Sequence, residues 1–149
     1  MNVTEIFPPG ALVGVDTAIF IYHFEAHPEF GARARAFFRD CVDTGRNPAV
    51  TSVVTLAEVL TRPKSMGRGD LVAQYREYLE GATRMRLIPI DATVAEQAAD
   101  LRARHSLRLP DAFQIAACLS AGATVLLSND ARLKQVQDLK IVLLSEIPE

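Results

Sequence analysis

Only two cysteines, Cys41 and Cys118, occur in the 149 residues. That is too few for a disulfide framework, and a zinc site needs about four clustered ligands. Both thiols are expected as small buried groups in a reducing compartment. A long apolar run is also missing. The longest weakly polar stretch, 112–129, is broken by Gln114, Ser120 and Gly122, short of the roughly 20 residues that span a bilayer. Residues 1–10 carry Glu5 and Pro8-Pro9 without a basic segment ahead of an apolar one, which is not the pattern of a secretion signal. A soluble, cytoplasmic protein with no membrane partner is the expectation. Excess charge of either sign is small: 16 Lys and Arg against 18 Asp and Glu leave −2. Nucleic acid is therefore not attracted globally, and RNA binding would have to come from local patches or from metal. No repeat, low-complexity tract or linker divides the chain, so one domain over 1–149 is expected.

What is present is an alternation of short apolar runs with helical patterns, the signature of an α/β fold with a largely parallel sheet. Strands are predicted at 11–15, 49–52, 85–90, 124–128 and 141–144. Helices are predicted at 17–24, at 33–44 with Ala34, Phe37, Phe38 and Cys41 on one stripe, at 54–61 stopped by Pro63, and at 70–80. Further helices follow at 93–105, opened by a capping box from Thr93 to Glu96, at 111–121, and briefly from Ala131. In such sheets, sites lie beyond the carboxyl ends of the strands.

The acidic residues stand in unusual places. Asp16 is the only formal charge between Glu5 and Glu25, Glu58 the only one between Arg46 and Arg62, and Asp111 the only one between Arg108 and Asp130. Each stretch is patterned for burial, and no sequence-local cation is expected as a partner. A buried carboxylate shifts its pKa, finds a partner or coordinates a metal. Asp16 and Asp130 each follow a predicted strand. Carboxylates converging from four elements would make an all-oxygen cage suited to Mg²⁺ or Mn²⁺, and like charges so gathered would raise one another's pKa values. Taken singly, Asp16, Asp111 and Asp130 also fit as helix N-terminal residues that complement the dipole. His23 and His27 share an i, i+4 spacing, but Glu25 is misplaced for a H-E-x-x-H site, so they read as a solvent-facing pair.

The segments Val15-Asp16-Thr17, Leu56-Ala57-Glu58-Val59-Leu60, Leu109-Pro110-Asp111-Ala112-Phe113-Gln114-Ile115-Ala116-Ala117 and Leu127-Ser128-Asn129-Asp130 resemble, in order, the four acidic motifs of PIN-domain nucleases. The likeness runs from about Leu12 to Leu144. A free-standing domain of this size most resembles the VapC toxins of bacterial and archaeal toxin–antitoxin pairs. The resemblance implies a three-layer α/β sandwich around a central, mostly parallel five-stranded sheet; residues 1–10 depart from it as an N-terminal extension, since such toxins often start almost directly at the first strand. It further implies a Mg²⁺- or Mn²⁺-dependent endoribonuclease, usually a homodimer, silenced by a small antitoxin that docks near the site.

On that reading Asp16, Asp111 and Asp130 hold metal and Glu58 is a further ligand or orients the attacking water. Thr17, Ser128 and Asn129 fix those groups from behind. Arg62, Lys64 and Arg68, in a loop with Pro63 and Gly67, are the candidates for RNA phosphates. The chain offers no nucleophilic triad and no Gly-rich phosphate loop. A DNA nuclease or repair factor using the same carboxylates, and an inactive binding module, remain the alternatives. A phospho-acceptor receiver domain does not fit, because no lysine follows Lys140.

Overall fold

The computed structural model describes residues 1–81 and 84–149. Five short strands build the centre: β1 (Val13–Val15), β2 (Ala49–Ser52), β3 (Met85–Ile88), β4 (Val125–Ser128) and β5 (Lys140–Leu143). They lie in the order β3-β2-β1-β4-β5, and every pairing is parallel. In register, Gly14 sits opposite Val50 on one side and Leu126 on the other. Strands β1, β2 and β4 are buried along their whole length, which is why they read as continuous rather than alternating apolar runs.

Helices cover both faces and complete the three-layer sandwich. One face receives α1 (Val3–Ile6), α2 (Thr17–Phe24), α3 (Gly31–Phe37), α4 (Val53–Ser65) and α5 (Gly69–Glu80). These pack on Val13, Val15, Ala49, Val125 and Leu127. The other face receives α6 (Ala92–Arg104) and α7 (Leu109–Ser120), which bury Val94, Leu101, Ile115 and Cys118 against Val50 and Leu126. A Cβ at position 14 would stand 2.8 Å from the Cys118 Sγ. Glycine there lets α7 approach the central strand, which carries Asp16 at its end.

Several local expectations are corrected. Pro63 does not stop α4, which runs on to Ser65. The proline removes one donor only, a turn from the end, its ring is buried, and the Met66 N–H still closes on the Arg62 carbonyl at 3.0 Å. Asp91, not Thr93, caps α6, accepting the Val94 N–H at 2.9 Å. Strand β3 ends at Ile88 because Pro89 cannot donate to the ladder. The predicted helix over 33–44 changes at Phe38 into a π-helical turn, Phe38–Val42.

Residues 1–10, the extension ahead of β1, pack onto the core. Asn2 caps α1 in a reciprocal box with Glu5, and Val3 and Phe7 are buried. The Phe7 ring meets Phe37 at 5.3 Å. Arg46 donates to the Thr4 carbonyl at 2.8 Å, and Asn47 Nδ2 donates to the Pro8 carbonyl at 2.8 Å. His23 does not face solvent. Its ring lies 5.0 Å from Phe38 and 5.7 Å from Tyr78, and burial, then the charge of Arg35, lowers its pKa. Among the described residues, no helix is long and apolar enough to cross a membrane.

Candidate active site

The central strand delivers Asp16 to the carboxyl edge of the sheet. Its backbone N–H still pairs with the Leu127 carbonyl at 2.9 Å, so it is held by the ladder as well as by the helix it starts. The side chain caps α2: Oδ1 accepts the Thr17 N–H at 2.9 Å, and Oδ2 accepts the Ser128 hydroxyl at 2.7 Å. Ser128 closes the neighbouring strand β4, and its Oγ also accepts the Asp130 N–H at 3.1 Å. Glu58 comes from α4, where its Oε1 accepts the Thr17 hydroxyl at 2.9 Å.

Burial is the main force on Asp16. It raises the carboxyl pKa, the Ser128 and Thr17 hydrogen bonds oppose it, and the charges of Asp111 and Glu58 raise it further. Asp16, Glu58 and Asp111 therefore share one field. Asp130 behaves oppositely to expectation. Its carboxylate pairs with Arg132 at 2.7 Å, and that guanidinium lowers its pKa. Asp111 also has a local cation, Arg108, at 3.2 Å. Arginines two and three residues away thus overturn the expectation that no sequence-local partner exists. Glu58, expected in a buried stretch, is exposed, because it lies on the open side of a helix whose Val59 and Leu60 face the core.

As placed, no group of three or more His, Cys, Asp or Glu among the described residues is gathered tightly enough to hold an ion. The donor chemistry nevertheless fits a hard divalent cation. All the candidate ligands are carboxylates, and among the described residues no cation bonds to Asp16 or Glu58. The two arginines on the other carboxylates are 67% and 68% exposed, so water competes for them and they yield readily to an ion. Cys41 and Cys118 are both buried, and burial raises their thiols to about 11 and about 12. They offer no thiolate ligand.

Other candidate positions are rearranged. Asn129 touches no carboxylate: its Nδ2 donates to the Tyr22 hydroxyl at 3.3 Å and its Oδ1 accepts the Ser145 N–H at 3.1 Å, strapping the β4 exit to its surroundings. Arg62 and Lys64 occupy the last turns of α4 rather than a loop. Arg62 pairs with Glu25 at 3.1 Å and shares a cavity with Glu58, whereas Arg68 pairs with Asp70 at 2.8 Å. One buried residue escaped notice as a site residue. Gln114, one turn after Asp111, reaches the Val15 carbonyl and the hydroxyls of Thr51 and Thr55. A polar side chain inside the apolar run 112–119 was the available signal.

A parallel sheet whose strands β1 and β4 are followed directly by Asp16 and Asp130 defines an α/β protein with its candidate acidic residues at the switch point between those two strands. The family model described as PIN domain matches residues 13–139, and the chain belongs to that family. Its fold is shared by a toxin–antitoxin complex from Klebsiella pneumoniae, 21% identical, covering 91% of this chain and 99% of that one at a TM-score of 0.68. A DNA-bound VapBC from Salmonella typhimurium is 18% identical over 90% and 98% of the two chains, also at 0.68. Mycobacterium tuberculosis VapC20, described as a sarcin–ricin loop cleaving toxin, is 20% identical over 80% and 90%, at 0.64. No relative among curated proteins matches the chain in sequence.

Proposed function

We propose that this chain is a divalent-metal-dependent endoribonuclease, a single catalytic domain acting as the toxin of a toxin–antitoxin pair. The observation that carries this reading is Asp16: a desolvated carboxylate at the end of the central strand, in the field of Glu58 and Asp111, with no cation bonded to it among the described residues. Asp16, Glu58 and Asp111 are the residues to hold Mg²⁺ or Mn²⁺, with Asp130 joining as Arg132 gives way. When bound, the ion acidifies a water and steadies charge on the departing oxygen.

The chain's own groups do the rest. Ser128 and the Thr17 N–H fix both oxygens of Asp16, so its direction is set before any ligand arrives. Thr17 holds one oxygen of Glu58 and leaves the other free to accept a proton from an attacking water. Arg108 and Arg132, at the rim, are placed to exchange their carboxylate partners for RNA phosphates. Arg62, which shares a cavity with Glu58, and the exposed Lys64 are further candidates for RNA phosphates, with Arg68 following them in sequence.

An apolar groove runs away from Glu58. A cavity of about 210 Å³ lined by Ile21, Phe24, Val59 and Tyr75 is followed by one of about 310 Å³ reaching Pro63, Met66 and Leu71. Glu58 lines the first of these cavities, which supports docking of an antitoxin segment with apolar side chains in the groove and a cation toward Glu58. The test of the whole reading is cleavage of single-stranded RNA with Mg²⁺ or Mn²⁺, abolished by chelator, beside DNA of matching sequence. Cleavage of the DNA alone would favour a repair nuclease, and cleavage of neither a binding module. Growth arrest on expression, relieved by the neighbouring gene, tests the toxin assignment.

A further inference from the structure

Four hydroxyl and amide groups behind the carboxylates form a chain whose direction is fixed by proton count. Glu58 as a carboxylate can only accept, so the single hydroxyl proton of Thr17 goes to its Oε1 at 2.9 Å. The Thr17–Thr55 contact, also 2.9 Å, then requires Thr55 to donate. Thr55, its proton spent, must be the acceptor at its other contacts: from Gln114 Nε2 at 2.8 Å, and from Thr51 Oγ1 at 2.8 Å when that hydroxyl is not turned to the Val15 carbonyl, 2.9 Å from it. The amide group is the one member that can donate twice and accept nothing, so the chain starts there.

The orientation of Gln114 is itself determined. Its Nε2 lies 3.1 Å from the Val15 carbonyl, which only accepts. Its Oε1 accepts the Ser52 hydroxyl, whose oxygen also accepts the Val54 N–H at 3.2 Å. A flipped amide would set oxygen against the Val15 oxygen, so this placement is the consistent one. Gln114 thereby ties the ends of β1 and β2 to α4 and α7, and all of these side chains but Glu58 are buried.

We propose that Gln114 is a positioning residue: its amide, through Thr55 and Thr17, orders the hydroxyl that holds the exposed Glu58 carboxylate beside Asp16. This rests on the metal-site reading above and deepens it. Glu58 is open to solvent, and a side chain so placed keeps one direction only while something donates to it. If Thr55 turned its proton elsewhere, Thr17 would lose its acceptor role and be free to rotate away from Glu58.

The test is the affinity of the purified chain for Mn²⁺, read by calorimetry at neutral pH with folding verified by circular dichroism. Thr55→Val keeps the shape and removes the hydroxyl, and should weaken Mn²⁺ binding by roughly 10- to 100-fold, the usual cost of losing a group that orients a ligand. Thr55→Ser restores the hydroxyl and should bind nearly as wild type does. Gln114→Met should resemble Thr55→Val. In a Glu58→Gln background neither variant should weaken binding further, because both act through Glu58. A Thr55→Ser as weak as Thr55→Val, or full additivity with Glu58→Gln, would make the residues merely structural and overturn the proposal. Variants binding like wild type overturn it while leaving the metal site standing. A wild-type chain that binds no Mn²⁺ overturns the metal site and this role with it.

Discussion

The Ser128 hydroxyl donates to Asp16 Oδ2 at 2.7 Å across 112 positions of sequence. It joins the ends of two neighbouring strands, and it is the strongest of the contacts that counter the effect of burial on Asp16. Ser128→Ala should leave the fold intact, because the Thr17 N–H still caps with Asp16, but free one carboxylate oxygen to turn. Mn²⁺ affinity is expected to fall by roughly 10-fold or more. Unchanged affinity would remove Ser128 from the site.

Residues 1–10 carry a stability prediction. Phe7 is buried against Phe37, so Phe7→Ala leaves a cavity and should cost about 3–5 kcal/mol, measured by urea unfolding. A change near zero would show that Phe7 adds little to the core.

Much of the fold was legible because its local signals agree with its tertiary role. The helix Thr17–Phe24 and the strand Ala49–Ser52 were expected with the bounds they have. Asp16, Glu58 and Asp111 could be chosen because each stands alone in an apolar stretch, and Asp130 because it follows a predicted strand. Pairing was not legible. Whether Arg132 folds back on Asp130 depends on the geometry of one 3₁₀ turn, Ala131–Gln135, which composition does not specify. The exposure of Glu58 was hidden because neutral neighbours on a helix need not be buried ones. Gln114 meets Ser52 across 62 positions and Val15 across 99, and no local pattern encodes such partners. His23 was assigned to solvent for the same reason: its ring packs against Phe38 and Tyr78, distant in sequence.

Arg132 and a bound cation compete for the same oxygens of Asp130. Arg132→Ala should therefore bind Mn²⁺ at least as tightly as wild type, while binding of a non-cleavable single-stranded RNA weakens and becomes less salt-dependent. Reduced Mn²⁺ affinity in this variant would show that Arg132 braces Asp130 for the ion rather than occupying its place.

Asp16 makes the sharpest case for a site carried at the expense of stability. Its folded-state pKa is raised, burial first and the charges of Asp111 and Glu58 after, so the metal-free folded chain binds a proton that the unfolded chain has released. The stabilising contribution is therefore full below the unfolded value, about 4, and is lost as pH rises through the folded value. Asp130 pulls the other way, since Arg132 holds it low and its contribution is lost on acidification. A wild-type pH profile alone would mix the two, so wild type and Asp16→Asn are compared at each pH. In chelator at pH 7, Asp16→Asn should melt higher than wild type: the amide keeps its oxygen for the Thr17 N–H and turns its NH2 to the Ser128 oxygen, without a buried charge. Near pH 4 the advantage should shrink. Saturating Mg²⁺ should reverse the order, because a ligand at about 100 times its Kd adds roughly 2.7 kcal/mol to wild type, and the variant has lost a charged ligand. If Asp16→Asn melts lower in chelator at neutral pH, the carboxylate serves chiefly as the cap of α2, and the candidate metal site loses its central member.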